Sequence, residues 1–266
     1  MRTLIFLTFT ILFACGATAL AQKFPIIDAH YGYLIGAVEN GKWVESDNAK
    51  KSVKSGTKLQ VYGATGAVGN AAIVKLDTAG EACPDVPMVK LNPKKVKDGG
   101  VAFAAKWNPL PRKPQTIDVK EKKYVDLVGE FLRERGLKDP VVHISQMVSI
   151  DLDGDGQEEV VVSATHYKDG EEIPDEATPN TYSFVMVARS VNGKMETKLV
   201  AGEFYPGEAK GDMPPNKFEI VALLDLNGDG KIDIVVRSRY YEGDEVSVYE
   251  SRTSGFNKAL SASCGL

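Results

Sequence analysis

The sequence predicts a mainly β protein with a small N-terminal β-barrel or sandwich, one connecting α-helix, and then a duplicated β-hairpin unit carrying two metal loops. Three observations predict it. Alternating polar and apolar residues, punctuated by Gly, Asn and Pro, recur between residues 24 and 115, which is the period of strands with a buried face. Only one stretch, within 116–137, sets its apolar residues at helical spacing. Two acidic stretches 74 residues apart, Asp151-Leu-Asp-Gly-Asp-Gly-Gln-Glu-Glu159 and Asp225-Leu-Asn-Gly-Asp-Gly-Lys-Ile-Asp233, each run into a β-branched segment.

Residues 1–21 read as a signal peptide. Arg2 supplies a small positive segment, residues 4–13 an apolar core too short to span a bilayer, and Ala19-Leu20-Ala21 a small-x-small cleavage pattern. The competing pattern is Leu12-Phe13-Ala14-Cys15, a lipobox in which Cys15 carries lipid and supplies the only membrane contact. Either route exports the chain, to the periplasm or the medium in the first case and to a lipid anchor in the envelope in the second.

Residues 22–115 form the N-terminal β-rich domain. Strands are expected at 31–38, 43–44, 58–62, 86–91 and 101–107, with Asn40-Gly41 as a hairpin turn. The domain ends in Trp107-Asn-Pro-Leu-Pro-Arg-Lys-Pro114, where three prolines remove backbone donors and favour extended geometry, a linker or surface strap. Residues 116–137 hold the connecting helix. Asp118 and Glu121 have capping-box spacing, Tyr124, Leu127, Val128, Phe131 and Leu132 form an apolar stripe, and Gly136 can close the C-terminus. Residues 138–266 hold two repeats of strand, acidic loop, strand and hairpin. The first hairpin turns at Asn192-Gly193 and the second near Ser254-Gly255, and polar, Pro-rich loops at 170–180 and 205–216 take up the extra length.

Each acidic stretch sets side-chain oxygens at loop positions 1, 3, 5 and 9, with glycine at 4 and 6. These are Asp151, Asp153, Asp155 and Glu159 in the first loop, and Asp225, Asn227, Asp229 and Asp233 in the second. A short backbone wraps hard oxygen ligands around a cation such as calcium in this way. An EF-hand would need a glutamate at position 12 and flanking helices, whereas position 12 is Val162 or Val236 inside a strand segment. Position 9 closes the loop instead.

The two stretches resemble the calcium loops of FG-GAP or VCBS-type repeats, the units of integrin-like β-propellers. The resemblance covers residues 141–266 and implies two Ca2+ sites, each completed by the carbonyl of position 7, here Gln157 or Lys231. Glu159 departs from the family's usual aspartate. A propeller needs several blades to close and two are visible, so the resemblance implies a two-repeat unit packed on the N-terminal domain or a degenerate, propeller-like fragment. The whole chain is also similar to bacterial envelope proteins that join a Trp-containing β-domain, the Trp-Asn-Pro-Leu-Pro-Arg stretch and two such repeats. That likeness implies no particular activity.

Charge narrows the partners. Net charge is −4 overall, but residues 22–137 carry 19 Lys and Arg against 13 Asp and Glu, and residues 138–266 carry 12 against 23. Two divalent cations would cancel four of the eleven excess negative charges in the second half. The lysines of the first half, such as Lys94, Lys95, Lys120, Lys122 and Lys123, are scattered without interleaved aromatics, which excludes a nucleic-acid stripe. Beyond the signal only Cys83 and Cys264 remain, and export permits them to pair. A bridge would close about 180 residues and contribute about 5 kcal/mol on the chain-entropy model; two unpaired thiols are the alternative.

Other motifs are weaker. Val61-Tyr-Gly-Ala-Thr-Gly-Ala-Val-Gly69 resembles the glycine-rich turn of extended short-chain dehydrogenases, but no βαβα succession follows and no Tyr-x-x-x-Lys occurs, so its glycines are assigned to a β-turn. Ile27-Asp-Ala-His30 echoes an amidohydrolase metal strand with Gly32 where a second histidine belongs. No Gly-x-Ser-x-Gly elbow exists, and Glu171, Glu172, Asp175 and Glu176 read as a solvated loop rather than a glycosidase pair. Tyr240-Tyr241 and His166-Tyr167 follow the two loops at equivalent places, where they line a sugar or peptide groove or belong to the core. The expectation is an exported calcium-binding, non-enzymatic structural or interaction protein of the cell envelope, meeting an envelope protein or glycan. The alternative is a secreted hydrolase of glycan or peptide with structural calcium, which requires a pocket holding at least two carboxylates that are not metal ligands.

Overall fold

Strand turns back on strand at Asn40-Gly41 and Asn192-Gly193, where both residues of each pair take positive φ (52° and 74°, 51° and 76°). This is the primed-turn geometry whose twist matches that of the flanking strands. The structure, a computed structural model, describes residues 22–81, 83–168, 170, 172–207, 214–252 and 255–265. Residues 1–21 with Cys15, together with Glu171 and Ser254, lie outside these. Strand accounts for 53% of the chain and both helices are short, so the protein is mainly β. No described helix is long and apolar enough to cross a membrane.

Seven strands of the N-terminal half make one antiparallel sheet: β1 (Lys23–Asp28), β2 (Leu34–Glu39), β3 (Lys42–Glu45), β4 (Lys58–Gly63), β5 (Gly66–Thr78), β6 (Pro87–Asn92) and β7 (Val101–Phe103), in the order β3-β2-β1-β7-β4-β5-β6. A four-residue helix, α1 (Ser46–Ala49), follows β3. Of the barrel or sandwich expected here, the barrel does not form. The sheet curls far enough for Val89 N–H to reach Gly32 O (2.6 Å) and for Tyr33 to bridge Met88, but it stays open. Successive residues explain why: Ile27, Leu34, Ala37, Val61 and Ala102 face a cluster with Ile73, Val89 and Ala49. Their neighbours Ile26, Ile35, Val38, Tyr62, Val101 and Phe103 face a second sheet. Both faces are buried at β1, β2 and β7, and the layer over the second comes from the other half of the chain.

That layer is the four-stranded meander β13 (Lys217–Leu224), β14 (Asp233–Tyr240), β15 (Gly243–Arg252) and β16 (Gly255–Gly265). Its Leu224, Val235, Val246 and Val248 meet the first sheet, while Ile220, Leu223, Ile234 and Val236 meet a third. The third sheet has the order β12-β11-β10-β9-β8, from β8 (Gln115–Thr116), β9 (Ile144–Ile150), β10 (Glu159–His166), β11 (Thr181–Val191) and β12 (Lys194–Tyr205). Its outer face is covered by α2 (Lys122–Arg133) through Tyr124, Val128, Phe131 and Leu132.

The connecting helix is shorter than its spacing suggested, and no capping box forms. Gln115 and Thr116 pair with Ser149 and Val148, and Ile117 N–H donates to Met147 O (3.0 Å), so pairing holds the chain extended up to Ile117. Asp118 then caps a turn, accepting the N–H of Lys120 (3.0 Å), and Glu121 occupies the helix N-cap without a side-chain bond. Gly136 does close the other end, at φ +86°, with Leu137 N–H reaching back to Leu132 O (3.3 Å).

Candidate metal centre

The first acidic loop joins β9 to β10 and the second joins β13 to β14. In each, the position-1 aspartate accepts two backbone N–H groups: Asp151 from Gly154 (2.6 Å) and Gly156 (3.1 Å), Asp225 from Gly228 (2.7 Å) and Gly230 (3.0 Å). Position 3 receives the N–H of position 5, Asp155 on Asp153 (3.2 Å) and Asp229 on Asn227 (3.0 Å). Position 5 receives that of position 7, Gln157 on Asp155 (2.7 Å) and Lys231 on Asp229 (2.8 Å). Position 9 reaches back to position 2, so that Leu152 N–H donates to Glu159 (2.8 Å) and Leu226 N–H to Asp233 (3.0 Å). One hydrogen-bond pattern serves both loops, and the extra methylene of Glu159 still meets the same donor.

The loops differ in exposure. Asp225, Asn227 and Asp233 are buried, whereas Asp153, Asp155 and Gln157 are exposed and only Glu159 of the first loop's ligand set is buried. One oxygen each from Asp151, Asp153 and Glu159 lie within 4.8 Å of one another, and this grouping of carboxylates includes no histidine or cysteine. Burial holds the carboxyl of Asp233 well above the usual range, with the charges of Asp229 and Asp225 adding to it. Burial also raises Asp225 and Glu159, against the pull of their backbone N–H bonds. Among the described residues no ion pair reaches these carboxylates. Clustered carboxyl groups with all-oxygen donors fit a hard dication. Asp225, Asn227, Asp229, Asp233 and the Lys231 carbonyl would hold one ion; Asp151, Asp153, Asp155, Glu159 and the Gln157 carbonyl would hold the other.

A pH dependence follows. A carboxyl whose folded pKa lies above its unfolded value, about 3.9 for aspartate, takes up its proton in the folded state first, so metal-free stability falls as pH rises through the raised value of Asp233. Chelated protein is expected to melt higher as pH falls through that raised value toward the unfolded aspartate range, until general acid unfolding intervenes. Calcium-loaded protein is expected to lose its added stability over the same interval, because the ion requires deprotonated ligands. Thermal melts across pH with and without chelator check this, and parallel curves would contradict it.

The Pro-rich stretch lies across both loops. Trp107 Nε1 donates to Asp225 O (2.9 Å) and Asp225 N–H donates to Pro109 O (2.8 Å). Arg112 Nε donates to Asp151 O (2.5 Å), and its Nη2 donates to Gly230 O (2.6 Å) and Leu152 O (3.4 Å). The loops also touch directly through Ile232 N–H and Leu152 O (2.8 Å). Proline content marked this stretch as extended, but which surface it crosses left no trace in local spacing.

Trp107 also makes two loop glycines unequal. At Gly228, φ +78°, an added Cβ would sit 3.1 Å from the indole; at Gly230, φ +84°, nothing lies within 4 Å. Gly230→Ala is expected to cost about 1 kcal/mol from left-handed backbone alone, and Gly228→Ala about 3 kcal/mol once overpacking against the ring is added. Urea titrations of the two variants check the order.

No family model, curated protein or solved structure matches this chain. The likeness of the loops to FG-GAP and VCBS repeats therefore stands on their own residues.

The remaining singled-out residues fall elsewhere. Cys83 and Cys264 are joined by a disulfide, with Cα atoms 5.8 Å apart. Asp28 is fully buried, accepts the N–H groups of His30 (3.2 Å) and Tyr31 (2.7 Å), and pairs with Arg237 of β14. Its place in Ile27-Asp-Ala-His30 is thus an ion pair between two sheets. His30 belongs to that region, whereas His143 and His166 line a separate cavity of about 520 Å³. The glycine-rich stretch 61–69 spans the β4–β5 hairpin, and no helix follows it.

The two aromatic pairs are not equivalent. Tyr167 is core, its hydroxyl donating to Asn216 O (3.1 Å), while Tyr241 is 66% exposed. Tyr240 and Tyr241 border a cavity of about 930 Å³ that also touches Glu203, Asp244 and Glu245. Glu203 accepts from Tyr205 and from Asn216, Glu245 pairs with Lys258, and Asp244 accepts Tyr33 Oη–H on one oxygen (3.0 Å). The other oxygen of Asp244 is buried without a partner among the described residues, and burial raises this carboxyl.

Proposed function

We propose that this chain is an exported calcium-binding, non-enzymatic structural or interaction protein of the cell envelope, built on a duplicated FG-GAP- or VCBS-like hairpin unit. The observation that carries the reading is the shared hydrogen-bond pattern of the two loops, in which five bonds repeat at an offset of 74 residues. The same offset relates Gln146 to Ile220, which exchange two bonds across the sheets (3.0 and 2.7 Å). Each ion rigidifies one hairpin, and the strap carries that order to the N-terminal sheet, leaving a firm surface for an envelope protein or glycan. Calorimetric titration of the full chain is expected to show two calcium events, and Asp225→Ala with Asp229→Ala to remove one of them. Unchanged stoichiometry in the double variant would sink the assignment.

The second reading, a secreted hydrolase of glycan or peptide, is favoured by the cavity beside Tyr240 and Tyr241. Asp244, protonated more readily there than an ordinary aspartate, would be its proton donor. That reading expects turnover of polysaccharide or peptide that is lost in Asp244→Asn with the fold retained. Turnover that survives the substitution overturns it.

A further inference from the structure

We propose that the two metal loops bind calcium with positive cooperativity and that Arg112 is the positioning residue that couples them; this rests on the calcium reading above. The guanidinium of Arg112 donates to Asp151 O and Leu152 O, positions 1 and 2 of the first loop, and to Gly230 O, position 6 of the second. Ile232 N–H, position 8 of the second loop, donates to the same Leu152 O.

These bonds fall on the residues that the ligand carboxylates already grip. Leu152 gives its N–H to Glu159, and Gly230 gives its N–H to Asp225. Closing the carboxylates on an ion in one loop therefore fixes a residue whose carbonyl is tied to the other loop. The second loop, whose Asp225, Asn227 and Asp233 are buried, fills first. The exposed first loop then pays less to become ordered, which is positive coupling without a change of fold. Charge acts in the opposite direction, since two dications and a guanidinium repel one another. Positive cooperativity is thus specific to the backbone link.

Coupling is reciprocal, which sets the test. Calcium titration calorimetry on the full chain compares wild type, Asp229→Ala and Asp155→Ala, each of which disables one loop without touching Arg112. Relative to wild type, each variant is expected to weaken the surviving site by about tenfold, within the range ordinary for coupled sites. Arg112→Lys keeps the charge but loses the three-carbonyl fork and leaves the Ile232–Leu152 bond; in that background each loop variant is expected to weaken the other site by no more than about threefold, and an undiminished tenfold effect there overturns the role of Arg112. Melts in chelator report whether Arg112→Lys folds, and if it does not, the two loop variants decide alone. Surviving sites unchanged within about twofold in the Arg112 background overturn the coupling while leaving two-site binding intact. No calcium binding by the wild type overturns both.

Discussion

Serine at both Cys83 and Cys264 is expected to lower stability by about 5 kcal/mol, the loop-closure entropy returned to the unfolded chain when a link across 181 residues of sequence is removed. In the fold, the bridge pins β16, which among the described residues is an edge strand paired with β15, to the loop before β6 of the seven-stranded sheet. For a chain of this size each kcal/mol moves the melting temperature by about 2–4 °C, so a fall of about 10–20 °C is expected. Denaturant titrations of the oxidised protein and the serine variant measure it directly. A loss below about 2 kcal/mol would show that the sheets hold β16 without the link.

Removing calcium is expected to come close to this. An ion that binds only the folded state at a free concentration of 1,000 times its Kd adds about 4 kcal/mol per site, and its loss leaves the carboxyl groups of Asp225 and Asp233 buried without a cation partner. Excess chelator is expected to lower the melting temperature by about 8–16 °C for the second loop alone. Calcium should restore it and magnesium should not, because the smaller ion demands octahedral geometry and retains its waters. A melt indifferent to chelator would end the calcium reading.

What the sequence revealed was local. The Asn-Gly turns, the apolar stripe of α2, the Gly136 stop and the spacing of both acidic loops depend on neighbours in the chain, and each could be read there. Pairings between distant segments could not. Strands β1, β2 and β7 are apolar at successive residues because both of their faces are buried, but nothing near Ile35 or Phe103 says that β13–β16 will cover one of those faces. Capping-box spacing at Asp118 and Glu121 lost to the pairing of Gln115 and Thr116 with β9, a contact more than thirty residues away. The thirteen-residue β5 was missed because glycine and alanine give it little β propensity. Trp107 and Arg112, which grip the second loop from 118 residues away, were the largest omission from the site.

The most direct measurement is a crystal structure of the protein grown with calcium. An ion is expected in the β13–β14 loop with oxygens of Asp225, Asn227, Asp229, Asp233 and the Lys231 carbonyl at about 2.3–2.6 Å, and a second on Asp151, Asp153, Asp155, Glu159 and the Gln157 carbonyl. Both loops free of an ion at millimolar calcium, or calcium held only elsewhere, would contradict it.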